Sequence, residues 1–167
     1  MYGSISISSA QLSSTDAMAL IAHLDADLAE RYPGLDHNTR MLTPEQVRAG
    51  HGVFLIARAC GGPVGCGALR RLDCSTGEIK RIYVRPSARG SGVGRRLLAE
   101  LEWHARKLGM YGLVLHTGLR QPAAIRLYEN TGFTRIASFD EHTDSNKGIC
   151  MGKAIVWLSS PRFGSAS

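Results

Sequence analysis

The segment Arg89-Gly90-Ser91-Gly92-Val93-Gly94-Arg95-Arg96 has the residue types of an anion cradle. Glycine lets backbone N–H groups approach a ligand with no Cβ in the way, and a helix opening at Val93 adds roughly half a positive charge at its N-terminus. Arg95 and Arg96 follow directly, as donors to a phosphate or as plain solvent-facing charges. The spacing excludes two phosphate loops. A nucleoside-triphosphatase loop requires G-x-x-x-x-G-K-[ST], but Gly90 is followed five residues later by Arg95, with no Lys-Ser/Thr pair. A dinucleotide fingerprint requires G-x-G-x-x-G, and the third glycine position is Arg95 in one register and Leu97 in the other. The bland alternative is a turn whose glycines only let a helix pack on a sheet.

Charge points to the same place. Residues 80–107 hold eight Lys and Arg (Lys80, Arg81, Arg85, Arg89, Arg95, Arg96, Arg106, Lys107) against Glu100 and Glu102, so this stretch alone equals the chain's formal net charge of +6. An anionic ligand fits it, and so does a solvated basic helix face. The four cysteines, Cys60, Cys66, Cys74 and Cys150, form no CxxC pair and no zinc-ligand spacing, and read as reduced thiols with no metal. No stretch approaches the ~18 apolar residues of a membrane span, and the N-terminal MYGSISISSAQ lacks the basic and apolar regions of a signal peptide. The expectation is a cytoplasmic protein without a membrane partner.

The elements that must position this loop follow from periodicity. With 167 residues, 44% of them hydrophobic, the chain has the size of one domain that buries about 70% of its unfolded surface. Alternation in Ser4–Ser8 predicts a strand, and Ser13 with Asp16 resembles a capping box opening a helix with an apolar stripe of Leu20, Ile21, Leu24 and Leu28. That helix stops before Tyr32-Pro33-Gly34. Thr43, Pro44 and Gln46 announce a short second helix ended by Gly50. Val53–Ala59, Val64–Leu72 and Glu78–Val84 read as three strands joined as an antiparallel meander. After Pro86 the period changes: Val93, Leu97, Leu98, Leu101, Ala105 and Leu108 recur at helical spacing, Glu102 faces Arg106, and Gly109 ends the helix. Leu113–His116 is a short buried strand, Pro122 to Tyr128 a helix terminated by Gly132, and Phe133–Ser138 and Ile149–Leu158 late strands. The result is an α/β (α+β) domain over residues 1–158, with a mixed, mostly antiparallel sheet of about seven strands flanked by about four helices. Residues 159–167 read as a disordered tail.

Three motifs in order resemble a known family. Arg89-x-x-Gly92-x-Gly94 fits [QR]-x-x-G-x-[GA], the pattern of the GNAT superfamily of acyl-CoA N-acyltransferases. Gly77–Val84 resembles that family's fourth strand, and Ala124-x-x-Leu127-Tyr128-Glu129-x-x-Gly132-Phe133 its last helix and the strand after it. The resemblance spans roughly residues 50–135 and implies acetyl-CoA as co-substrate. Backbone amides of Arg89, Gly90, Ser91, Gly92, Val93, Gly94 and Arg95 would hold its diphosphate. Ile82, Tyr83 and Val84, on a fourth strand splayed from the fifth, would pair with the pantetheine arm. Gln121 stands where the family often has an Asn that bonds to that arm, so this bond is in question.

The implied chemistry is acetyl transfer to a primary amine by direct attack in a ternary complex. An alkylamine of pKa near 10.4 is only about 1 part in 2500 free base at pH 7, a penalty of roughly 4.6 kcal/mol, so a general base is worth having. The resemblance offers Glu78 for that role, a strand-borne carboxylate being held rigidly. It offers Tyr128 as the phenol that protonates the departing thiolate. Each has a plain alternative: Glu78 as an exposed strand-end glutamate next to Lys80, Tyr128 as an aromatic on the core face of its helix. Tyr32, Arg81, His116 and His142 are candidates for contact with the acceptor, read as a small metabolite amine, and Arg81 and Arg120 for binding a carboxylate. Dimers are common among the proteins the chain resembles, so a homodimer is an expectation. The competing functions are a non-catalytic acyl-CoA-binding domain and, less favoured, a basic nucleic-acid-binding protein. Against the latter, residues 80–107 hold only Tyr83 and Trp103 as aromatics and no known nucleic-acid motif.

Overall fold

The structure is a computed structural model and describes residues 3–34, 41–139 and 148–155. Its strands are β1 (Ser6–Ser9), β2 (Gly52–Ala59), β3 (Gly62–Arg71), β4 (Thr76–Val84), β5 (Gly112–Gly118), β6 (Thr134–Ile136) and β7 (Gly148–Ala154). They form one sheet in the order β1-β2-β3-β4-β5-β7-β6, in which every pairing is antiparallel except β4 with β5. The helices are α1 (Thr15–Arg31), α2 (Val93–Lys107) and α3 (Pro122–Asn130).

The element order is the expected one, with local corrections. The cap of α1 is Ser14, not Ser13; its hydroxyl accepts from Ala17 N at 3.3 Å. The capping box of Thr43 and Gln46 is present, but it opens one 3-10 turn over Pro44–Val47 where a longer helix was expected. A second 3-10 turn covers Pro86–Ala88, so the described residues hold three α-helices against the expected four or so. The predicted tail, 159–167, and residues 156–158 of the predicted last strand lie outside the described residues.

Strand β2 is buried on both faces, which is why it reads as a continuous apolar run, whereas the edge strands β1 and β6 are largely exposed. Val53, Leu55 and Ala57 pack toward α2, with Leu97, Leu101, Leu113 and Met151. Phe54 and Ile56 point the other way, onto Leu20 and Leu24 of α1. Each wholly buried Leu contributes about 1.5–3 kcal/mol. The ion pair Arg58–Asp16 at 2.9 Å ties α1 to β2.

One irregularity decides the shape of the centre. The β3–β4 register shifts between Cys66 and Ala68, and Arg81 opposite this shift has φ +57°, which only a bulge accommodates. Strand β5 follows β4 only from Thr76 to Ile79. From Lys80 onward the two diverge, and the β4 edge loses its neighbour. Strand β3 holds the departing half through Gly65, whose partner is Val84. A Cβ on Gly65 would stand 2.7 Å from the Tyr83 carbonyl oxygen, a backbone atom that cannot rotate away, whereas one on Gly94 would meet the mobile end of Leu127 at 2.8 Å. Thermal denaturation is therefore expected to show Gly65→Ala destabilised by about 1–3 kcal/mol, and Gly94→Ala by clearly less.

Candidate functional site

The divergence of β4 from β5 opens a cleft of about 420 Å³ that reaches from α1, past β4, to the N-terminal ends of α2 and α3. It gathers Ile82, Tyr83, Val84, Arg89, Gly90, Gly92, Val93, Gly94, Arg95 and Gln121, ten of the eleven residues expected to hold the cofactor. The eleventh, Ser91, turns its hydroxyl back to the Ala88 carbonyl at 2.5 Å and serves the loop itself. The wall also holds residues that sequence reasoning missed: Leu24, Asp27, Leu28 and Arg31 from α1, and Pro122, Ala123, Ala124 and Leu127 from α3. Asp27 and Arg31 stand one helical turn apart beside the apolar stripe of α1; that spacing was the available signal.

The floor of the cleft is built for negative charge. Gly92 caps α2 with φ +87° and has no side chain to bond the first-turn N–H groups, which are left for a ligand. Gly90 has φ +78°. Gly94 has an ordinary helical conformation and a different task, letting Leu127 of α3 close in. Arg89 is fixed by two bonds, from Nε to the Val84 carbonyl at 3.0 Å and from Nη2 to Asp27 at 3.0 Å, and its guanidinium lies 6.0 Å from the Tyr83 ring centroid. The basic segment is thus partly spent internally, since Arg81, Arg89 and Arg106 each have a carboxylate partner.

Both candidate catalytic residues are buried, and neither Glu78 nor Tyr128 is among the residues that line the cleft. Glu78 is buried, and Arg70 holds its Oε2 through Nε at 2.6 Å and Nη2 at 2.5 Å; it is not among the cleft-lining residues. It lies opposite Val114 of β5, one residue before the strands part. Ile79 and Leu115 are in the α2-side core, so Glu78 and, two residues beyond Val114, His116 face the α1 side of the sheet. His116 packs against Gly148, where a Cβ would stand 2.3 Å from its Nε2. Tyr128 is buried on α3 against Phe133, ring centroids 6.0 Å apart, and burial pushes its phenol above the ordinary value.

The other acceptor candidates are engaged. Tyr32 is buried, its hydroxyl accepting from Arg120 N at 2.7 Å, and Arg81 is paired with Asp25 at 2.6 Å. Neither is among the cleft-lining residues. His142 lies outside the described residues. None of the four cysteines is in a disulfide, and none lines the cleft. Burial pushes the Cys66 thiol up to about 12, leaving no reactive thiolate there near neutral pH. Among the described residues no group of three or more His, Cys, Asp or Glu could hold a metal ion, and no helix is long and apolar enough to cross a membrane.

Comparison with known proteins agrees with this geometry. A profile of the Acetyltransferase (GNAT) family matches residues 19–133. An IAA acetyltransferase of Azospirillum brasilense is 36% identical over 140 residues, covering 81% of this chain and 88% of that protein. A candidate acyl-CoA N-acyltransferase from Klebsiella pneumoniae superposes with a TM-score of 0.76 at 32% identity, over 93% of this chain and 99% of the other. A GNAT family acetyltransferase from Elizabethkingia anophelis, solved with acetyl-CoA bound, shares the fold at 21% identity, with a TM-score of 0.64 over 90% and 98% of the two chains.

Two outcomes follow from the burial of these groups. A thiol reagent is expected to label Cys60 and Cys74 quickly, and Cys66 and Cys150 only on unfolding. The raised Tyr128 phenol contributes stability that is fully present below its unfolded value of 10.0 and is lost as pH rises above it, because the unfolded chain then releases a proton that the folded one keeps. Melting curves between pH 9 and 11 should fall more steeply for the native protein than for Tyr128→Phe.

Proposed function

The chain belongs to the GNAT acetyltransferase family, and from that premise we propose that it moves an acetyl group from acetyl-CoA to a primary amine of a small metabolite, by direct attack in a ternary complex. The observation that carries this reading is the uncapped first turn of α2 behind two positive-φ glycines, opening into a cleft beside an unpartnered strand edge. N–H groups of that turn and the Arg95 guanidinium suit a diphosphate. Beyond Ile79, where β4 is no longer paired with β5, its edge suits an extended arm carrying amide groups. Bound acetyl-CoA supplies the activated acetyl group; the chain's residues orient it and manage protons.

Glu78 is proposed to take the proton of the attacking ammonium, directly or through water, from the α1 side where the strands begin to part. Arg70 fixes this carboxylate through Oε2 and leaves Oε1 outside the pair. Tyr128 keeps its proton at neutral pH and is proposed to give it to the departing thiolate. None of the cysteines lines the cleft, which supports transfer without a covalent enzyme intermediate. A second reading is favoured by the same side chains: with Glu78 held by Arg70 and Tyr128 sunk in the core, the cleft would suit a non-catalytic acyl-CoA-binding domain.

Thermal shift and thiol release separate the two. Acetyl-CoA at 100 times Kd adds about 2.7 kcal/mol, which at roughly 2–4 °C per kcal/mol is a shift of about 5–10 °C. NADH and ATP serve as controls for a generic polyanion effect. Amine-dependent release of CoA thiol that falls about 10²–10⁴-fold in Tyr128→Phe and Glu78→Gln, with the acetyl-CoA shift retained, supports catalysis by these residues. A selective shift with no thiol release from any amine supports the binding domain.

A further inference from the structure

Arg31 at the end of α1 and Arg120 before α3 are 89 residues apart in sequence and clasp one another. Arg31 Nη1 donates to the Arg120 carbonyl at 3.2 Å, and Arg120 Nη1 donates to the Arg31 carbonyl at 2.9 Å. Beneath them lies Tyr32, its hydroxyl bonded to Arg120 N and its ring centroid 5.7 Å from the Arg120 guanidinium. Gly118 makes room, since a Cβ there would stand 2.0 Å from that hydroxyl. Two exposed cations are thereby held together by neutral partners.

Some arginines of the molecule are held by neutral groups, as Arg71 is by the Cys74 and Leu108 carbonyls, and others by carboxylates. Arg58, Arg70, Arg81, Arg89 and Arg106 each have a carboxylate within 4.0 Å, whereas among the described residues none comes that close to Arg31 or Arg120. A guanidinium has five N–H donors and the clasp uses one, so each retains donors for a planar anion. Arg31 lines the cleft, and Arg120 directly precedes Gln121, which also lines it. The phosphates of acetyl-CoA have candidate donors of their own at the α2 N-terminus, which opens into the same cleft.

We propose that Arg31 and Arg120 form a carboxylate-binding fork, and that the amine acceptor is an amino acid or another amine bearing a carboxylate close to its nitrogen. The proposal rests on the acetyl-transfer reading and names its substrate class. The fork attracts a zwitterion through its carboxylate and repels an acceptor that carries only positive charge. Arg81, the other carboxylate-binding candidate, is excluded by its pair with Asp25.

The test uses L-amino acids and their carboxamides as acceptors, and N-acetyl-L-amino acids and their amides as calorimetric probes on the CoA-loaded protein. Acids are expected to exceed their amides at least tenfold in kcat/KM and in affinity. In Arg31→Gln and Arg120→Gln that ratio should fall toward one, chiefly through KM, while Arg120→Gln, which lies outside the cleft lining, retains the thermal shift with acetyl-CoA. Arg31→Lys, which keeps the charge and loses the fork, should recover only part of the preference. Acids and amides that bind and react alike overturn the fork and leave the transferase reading intact. Acid-selective binding without turnover of any amine upholds the fork and overturns the transferase reading. Variants that weaken acetyl-CoA and leave 3′-dephospho-acetyl-CoA unaffected assign the pair to a cofactor phosphate and overturn the proposal.

Discussion

The bulge at Arg81 is the constraint from which the working part of this molecule follows. A parallel pair of strands normally continues as long as both have residues to pair. Here one extra residue in β4, held at φ +57°, turns the strand's second half away from β5. Backbone groups that would otherwise be consumed in the ladder are released along one edge, and the second half of β4 lines the cleft through Ile82, Tyr83 and Val84. The bulge is anchored from both sides. The Cys66 thiol donates to the Arg81 carbonyl at 3.4 Å, and the Arg81 side chain reaches Asp25 of α1 at 2.6 Å. Strain that a lone arginine would not accept is offset by these contacts and by the burial of Tyr83 just beyond.

Around that gap the charges are arranged by role. Carboxylates of α1 hold the arginines that shape the cleft: Asp25 takes Arg81, Asp27 takes Arg89. The Arg89 pair is substantially exposed, so it is worth at most about 1 kcal/mol and acts chiefly to set the guanidinium's direction. Arg70 and Glu78 are more deeply placed, and removing either would leave the other's charge half-buried or buried. Arg95, Arg31 and Arg120 have no such partner among the described residues. Of these three, Arg31 and Arg95 line the cleft, beside the open end of α2.

The architecture was legible because its signals are local. The 3.6-residue recurrence from Val93 to Ala105, the uninterrupted apolar run of β2 and the glycines flanking each turn all report on burial and backbone conformation, and each produced its element within a few residues. Boundaries slipped where neighbouring residues compete for one task. Ser13 and Ser14 can both cap, and only packing of the α1 stripe on Phe54 and Ile56 selects the second. The glycine loop was legible for the same reason as the helices, since positive φ and an uncapped first turn are properties of a short contiguous segment.

The amino-acid sequence by itself determined the element order, the family and the glycine loop that opens α2, all of which depend on residues close together in the chain. Only the tertiary structure decided what the long-range side chains do. Glu78 is clasped by a residue eight positions away across a strand pair, Tyr32 is turned under Arg120, and Arg81 is drawn to Asp25. The pairing of Arg31 with Arg120 spans 89 positions and has no periodic or motif signature. Which charged groups meet, and which remain open to a ligand, is set by the path of the backbone through space. A guanidinium's partner is chosen by distance and geometry after the core has formed.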